Sequence, residues 1–186
     1  SPAPDNAHVV EIMGYQFAWD VRYPGADQQL GDYDYRLTTA TNSRGIDFTD
    51  KNSFDDFPSQ NVVIPKGEPV LFNIRARDVL HSVFAPHMRL KMDAVPGMPT
   101  RFWFVPNKTT EEMRAELGDD EFEFEIACTE VCGNGHFSMR KVIRVVEPEE
   151  YRKWFAEQTP FIKSNPDLVA DLPVDLKELA EIYINE

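Results

Sequence analysis

Residues 128–139, C-T-E-V-C-G-N-G-H-F-S-M, gather two thiols, an imidazole and a thioether within one short stretch, at Cys128, Cys132, His136 and Met139. The whole chain has only 2 Cys and 4 His, so abundance does not explain the cluster. Thiolate, imidazole and thioether together favour copper, above all where Cu(I) must be held as well as Cu(II). A blue-copper site uses one Cys, two His and a weak axial Met. This loop carries one thiolate too many for that. Two thiolates held side by side can bridge two copper ions. Each ion then needs an imidazole, and His136 supplies only one. Two plainer readings compete on the residues alone. Cys128 and Cys132 can close a small disulfide in an exported protein. A Cys/Cys/His/His set can bind zinc, but zinc motifs more often use C-x2-C pairs, and Met139 would then have no role.

The second imidazole must come from elsewhere in the chain. His8 lies near the start and reads as solvated. His87 sits beside Pro86 in a loop. His81, in R-D-V-L-H-S, ends a strand pattern, and a rigid strand suits a ligand, so His81 is the preferred partner.

The elements around the cluster must hold it still. E-F-E-F-E-I (121–126) alternates strictly and turns Phe122, Phe124 and Ile126 toward a core; R-K-V-I-R-V-V (140–146) is the next strand. Cys128 and Met139 thus stand at the two ends of a loop joining neighbouring strands. Further strands are read at 8–13, 15–23, 79–86 and 100–106, and two more flank the P-K-G-E turn within 61–77. Thr109 and Glu112 have capping-box spacing, and Gly118 closes a short helix over 109–118. A helix follows Pro148, and another is expected over 172–183. Many short strands with little helix predict an all-β, Greek-key β-sandwich or barrel with a short internal helix and a C-terminal helical extension.

The reading divides the chain into a main domain over 1–158 and an acidic extension over 159–186. Within the first, residues 25–60 carry seven Asp against three Lys and Arg and read as a long surface insertion with a short hairpin around Tyr33–Leu37. The net charge of −13 and pI near 4.7 argue against nucleic acid and anionic membrane surfaces as partners. No apolar run approaches the ~20 residues that span a bilayer. The opening S-P-A-P-D-N has no signal-peptide pattern either, as expected of a mature or excised piece.

C-T-E-V-C-G-N-G-H-F-S-M resembles the dinuclear copper-A loop of cytochrome c oxidase subunit II. D-V-L-H-S (78–82), L-K-M-D-A-V-P-G (90–97) and G-Y-Q-F-A-W (14–19) resemble further segments of that family, and the likeness spans roughly residues 9–157. The resemblance implies a cupredoxin-like fold and two copper ions per chain as a mixed-valence centre. Cys128 and Cys132 would bridge the ions, His81 and His136 would bind one each, Met139 would be a weak ligand, and Glu130 would bind through its carbonyl. It implies an electron relay within a terminal oxidase, an oxidoreductase, with no catalysis by the isolated domain. Subunit I would be the acceptor, with Glu130, Lys91, Asp93 and His136 near its interface and magnesium held there through Glu130.

The same resemblance implies a location on the periplasmic face of a bacterial inner membrane rather than the mitochondrial intermembrane side, with membrane helices upstream of Ser1. Asp78 matches an acidic docking position, and Asp55 and Asp56 in the insertion are weaker ones. The family commonly has Trp where this chain has Phe17, so electron entry falls to Phe17 or Trp19. The donor is left open among a cytochrome c, a fused or bound cytochrome and a high-potential iron–sulfur protein. Alternative readings are the copper-A domain of nitrous oxide reductase and a copper chaperone; the first would be a fragment at this length, and the second needs an exposed, exchangeable site.

Overall fold

The structure is a computed structural model that describes residues 1–78, 81–88, 90–128 and 139–186. Among them, ten strands form two sheets: β1 (His8–Tyr15), β2 (Ala18–Tyr23), β3 (Phe57–Ser59), β4 (Val62–Pro65), β5 (Val70–Ala76), β6 (His81–Ala85), β7 (Leu90–Ala94), β8 (Thr100–Phe104), β9 (Phe124–Cys128) and β10 (Arg140–Val146). One sheet runs β3-β2-β1-β5-β8, the other β4-β10-β9-β6-β7. The P-K-G-E turn therefore does not make a hairpin. It carries the chain from β4 in one sheet to β5 in the other.

Alternation decides which side chains meet. Along β5, Val70, Phe72 and Ile74 are fully buried, while Leu71 and Asn73 between them are half-buried. β1 pairs in parallel with β5 and is buried on both faces, so its run of Val10, Glu11, Ile12 and Met13 does not alternate. Glu11 tolerates that burial because Arg75 on β5 meets its carboxylate at 3.2 Å. The strand over 121–126 begins later than its pattern suggests, at Phe124. Phe122 precedes it and packs edge-on against Phe124.

α1 (Thr110–Leu117) has the expected capping box between Thr109 and Glu112, and Gly118 ends it in the left-handed region at φ 63°. Thr110 is buried in its first turn, and its hydroxyl accepts the amide of Val145 at 3.0 Å, tying the helix to β10. α2 (Pro148–Ala156) follows β10. His8 is half-buried rather than free in solvent. Its Nε2 meets Glu68 at 2.9 Å and its ring stands edge-on to Tyr151.

The chain separates into two compact units, residues 1–21 with 59–156, and residues 22–58 with 157–186. The second contains most of the acidic insertion and the C-terminal segment, with α3 (Phe161–Ser164) and α4 (Val174–Asn185). Ile46, Phe48 and Phe54 from the insertion share an apolar cluster with Phe161, Ile162, Val169 and Ala180. The insertion is thus a folded piece with its own core. Residues 35–37 form a 3-10 turn capped by the Asp34 side chain, not a hairpin, and Tyr33 bridges to Ile46.

Asp55 and Asp56 are buried within this unit, which removes both as docking residues. Asp56 pairs with the buried Arg22 at 3.0 Å and accepts the Gly31 amide at 2.9 Å. Asp55 accepts the Asp27 amide at 2.9 Å and shares a hydrogen bond with the Asp27 carboxyl. Burial pushes the Asp55 carboxyl up to about 7 from an ordinary 3.8, and raises Asp27 as well.

A carboxyl whose folded pKa is raised binds protons more tightly when folded. Its contribution to stability is complete below pH 4 and fades as pH climbs toward 7, at up to about 1.4 kcal/mol per pH unit. We therefore expect the opening free energy of this unit, from exchange at the Asp27 and Gly31 amides, to fall across that window. In Asp55→Asn, whose amide still meets Asp27, the fall flattens. A unit equally stable at pH 4 and pH 7 would contradict this.

Candidate metal centre

The inner-face series Phe124, Ile126, Cys128 puts the first cysteine among core residues; Cys128 is 8% exposed. β9 pairs antiparallel with both β6 and β10. On one side Cys128 lies opposite Val83. On the other its amide donates to the carbonyl of Met139 at 3.2 Å, just before β10 begins. Both ends of the 129–138 segment are thereby joined by one hydrogen bond. Met139 itself is buried.

β6 brings the imidazole. His81, its first residue, is completely buried, and its Nδ1 lies 4.0 Å from the Cys128 sulfur. The other ring nitrogen, Nε2, is 2.9 Å from a carboxylate oxygen of Asp78. That leaves Nδ1 as the nitrogen aimed at the thiol. Trp19 packs behind the pair. Its ring stands edge-on to His81 at 5.7 Å, and its Nε1 donates to the same Met139 carbonyl at 3.4 Å. Trp19 is buried, whereas Phe17 two residues earlier is 40% exposed.

A soft or borderline ion makes bonds of about 2.0 Å to imidazole nitrogen and about 2.3 Å to thiolate sulfur, so it can touch both when they lie less than about 4.3 Å apart. The observed 4.0 Å meets that condition. The donor types are the soft set copper takes. Among the described residues, no group of three or more His, Cys, Asp and Glu gathers to hold an ion alone. Cys132, Glu130 and His136 lie outside the described residues.

The structure thus brings together His81 and Cys128, sets the backbone carbonyl of the buried Met139 beside them, and places Trp19 and Asp78 around the pair. It does not bring His87 to them: that exposed ring packs edge-on against Phe122 at 4.9 Å. Lys91 and Asp93 are exposed on β7, alternating with the buried Ala94. Asp78 has a role that the docking assignment hid. Besides holding His81, it accepts the Gln16 amide at 2.8 Å and so ties the turn carrying Phe17 to the imidazole. The D-x-x-H spacing was its signal in the sequence. A carboxylate behind a metal-binding imidazole fixes the ring and its tautomer, and losing it typically costs about 10–100-fold in metal affinity. Asp78→Ala should lose copper affinity on that scale in a chelator competition. Asp78→Asn keeps an acceptor oxygen and should lose far less. Equal affinities for both variants would leave Asp78 with a charge role only.

The family profile of the cytochrome c oxidase subunit II periplasmic domain matches residues 8–146. The alternative cytochrome c oxidase subunit 2 of Bradyrhizobium diazoefficiens is 37% identical over 160 residues, covering 85% of this chain and 53% of that protein. Cytochrome c oxidase subunit 2 of Thermostichus vulcanus is 30% identical over 152 residues, covering 82% and 33% respectively. The chain therefore spans between a third and about half of the length of these relatives. In fold it is similar to the crystal structure of the periplasmic domain of subunit II of cytochrome oxidase from Bradyrhizobium japonicum, with a TM-score of 0.55, 23% identity, and coverage of 83% of this chain and 95% of that one. The sandwich is cupredoxin-like. No helix among the described residues is long and apolar enough to cross a membrane.

Proposed function

This chain belongs to the cytochrome c oxidase subunit II family, in its periplasmic domain, and from that premise we propose that it is the electron-accepting copper domain of a haem-copper terminal oxidase. The observation that carries the proposal is the buried His81 Nδ1, 4.0 Å from the Cys128 sulfur and held from behind by Asp78. Cys128 with Cys132 would bridge two ions, His81 and His136 would each hold one, and Met139 and the Glu130 carbonyl would complete the set. Bound there, copper supplies a centre that takes up and releases one electron with the charge spread over both ions.

The chain's own part is rigidity. His81 is fixed by strand position, by the Asp78 hydrogen bond and by the Trp19 ring. Cys128 is fixed within the β6-β9-β10 ladder. Ligands that cannot shift keep bond changes small when an electron arrives. Strand-borne, buried ligands also suit a relay better than a chaperone, which must exchange its metal.

Electron entry is proposed at Phe17, which is exposed next to Gln16, whose amide reaches Asp78 and through it His81. Trp19 is the buried contact behind the site. Exit would lie on the side of His136 toward subunit I, with Lys91, Asp93 and a magnesium site near Glu130 at that interface. Loaded with copper, the chain should be reduced on rapid mixing with a reduced c-type cytochrome or high-potential iron–sulfur protein, read as loss of the centre's visible absorption. A fully copper-loaded chain inert to both contradicts the relay.

A further inference from the structure

We propose that the second unit is a docking module, and that a groove between its 37–49 loop and its 164–172 segment takes an apolar segment bearing lysine or arginine from a partner protein. The proposal does not rest on copper binding. It starts from the unit's construction: the insertion and the C-terminal segment build one core of their own, around Phe54, Phe161 and Ile162. A surface loop kept only as a connection needs no such core.

On that unit lies a cavity of about 470 Å³, within the range of roughly 300–1,000 Å³ that holds ligands or partner side chains. Leu37, Ile46, Phe48, Leu168 and Leu172 supply its apolar lining. Its charged lining is Asp47 and Asp167, with no Lys or Arg among the described residues that line it. Asp47 is held in place, because one of its oxygens accepts both the amide and the hydroxyl of Thr49, at 2.9 and 2.6 Å. An apolar floor under fixed negative charge suits a long cationic side chain, whose methylene stem covers apolar surface while its head meets a carboxylate. An acidic segment would meet repulsion there.

Two features extend the surface beyond the cavity and favour a protein over a free small cation. Leu37 continues into the 3-10 turn Tyr35–Leu37, where Tyr35 is 84% exposed, and Tyr33 is exposed nearby in sequence. Exposed tyrosines beside aliphatic side chains are the composition of interface centres. The unit's residues also include fourteen Asp and Glu against six Lys and Arg, leaving −8 of the chain's −13. A field of that sign steers a basic macromolecule from a distance, where a pocket alone would select only what strikes it.

The test uses the full isotope-labelled chain without copper and two synthetic amphipathic peptides, identical except that one carries lysine and the other glutamate on its polar face. The lysine peptide should shift amides in 37–49 and 164–172, and its affinity should fall at least about tenfold from low to physiological salt. The glutamate peptide should shift none. Asp47→Asn with Asp167→Asn should weaken the lysine peptide at least about threefold while the amide spectrum of the folded unit persists. Shifts confined to residues 1–21 and 59–156, equal binding of both peptides, or affinity unmoved by the double substitution would each overturn the proposal. Because no metal is needed, such a failure leaves the electron-relay reading standing.

Discussion

Cys128→Ser should leave the sandwich folded and abolish the proposed paired copper centre. The side chain lies on the inner face with Phe124 and Ile126, and its sulfur faces His81 Nδ1 at 4.0 Å. Serine is close in size and keeps the backbone hydrogen bond from residue 128 to Met139, so the β9-β10 ladder survives. The hydroxyl cannot replace a soft thiolate. Bound copper should fall from two ions per chain to at most one, while stability moves by no more than about 1–2 kcal/mol. Retention of both ions, counted by elemental analysis after dialysis, would remove Cys128 from the ligand set.

Gly14→Ala should damage the same site from behind without touching a ligand's chemistry. A methyl carbon at position 14 would sit 2.7 Å from Cζ3 of Trp19 and 2.9 Å from Cδ2 of His81. Both rings are buried, at 2% and 0% exposure, so neither has open space to enter. Overpacking of this kind costs about 1–3 kcal/mol. Here the strain must also move the imidazole away from Cys128 or the indole away from the Met139 carbonyl. We expect a lower thermal midpoint together with weaker copper binding. Gly118→Ala is the control. Its Cβ meets nothing within 4 Å, though φ is 63°, so it should cost about 1 kcal/mol of backbone strain and leave copper affinity unchanged. Equal copper affinity in the two variants would show that the close approach at Gly14 does not reach the site.

Much of this arrangement was legible from local pattern. The alternation through Phe124 and Ile126 marks the strand that leads to the loop; the strand read from sequence stops at Ile126, whereas the structure carries the same alternation on to a buried Cys128 as the last residue of β9. The preference for His81 over His87 followed from strand against loop; of these two, His81 lies beside Cys128 and His87 packs on Phe122. The contacts that tune the site were not legible in the same way. Trp19 reaches the carbonyl of Met139 across 120 positions, and no spacing rule announces such a pair. Gly14 offered a faint hint, since glycine inside a strand often marks a close approach. Its partners are Trp19 and His81, the latter on the other sheet.

The acidic insertion shows the other limit. Its polar composition read as surface, yet Ile46, Phe48 and Phe54 are enough to join a core whose other half lies more than a hundred residues later, at Phe161 and Ile162. Asp55 and Asp56, which look like exposed charge in sequence, are buried there by that packing. Charge in a sequence marks a surface only until a partner such as Arg22 is found for it.

The most direct measurement is an electron paramagnetic resonance spectrum of the copper-loaded chain with copper counted per chain. The relay account predicts two coppers and one unpaired electron whose hyperfine splitting comes equally from both nuclei. One copper with the splitting of a single nucleus would mean a mononuclear site and would contradict it, as would a chain that takes up zinc in place of copper.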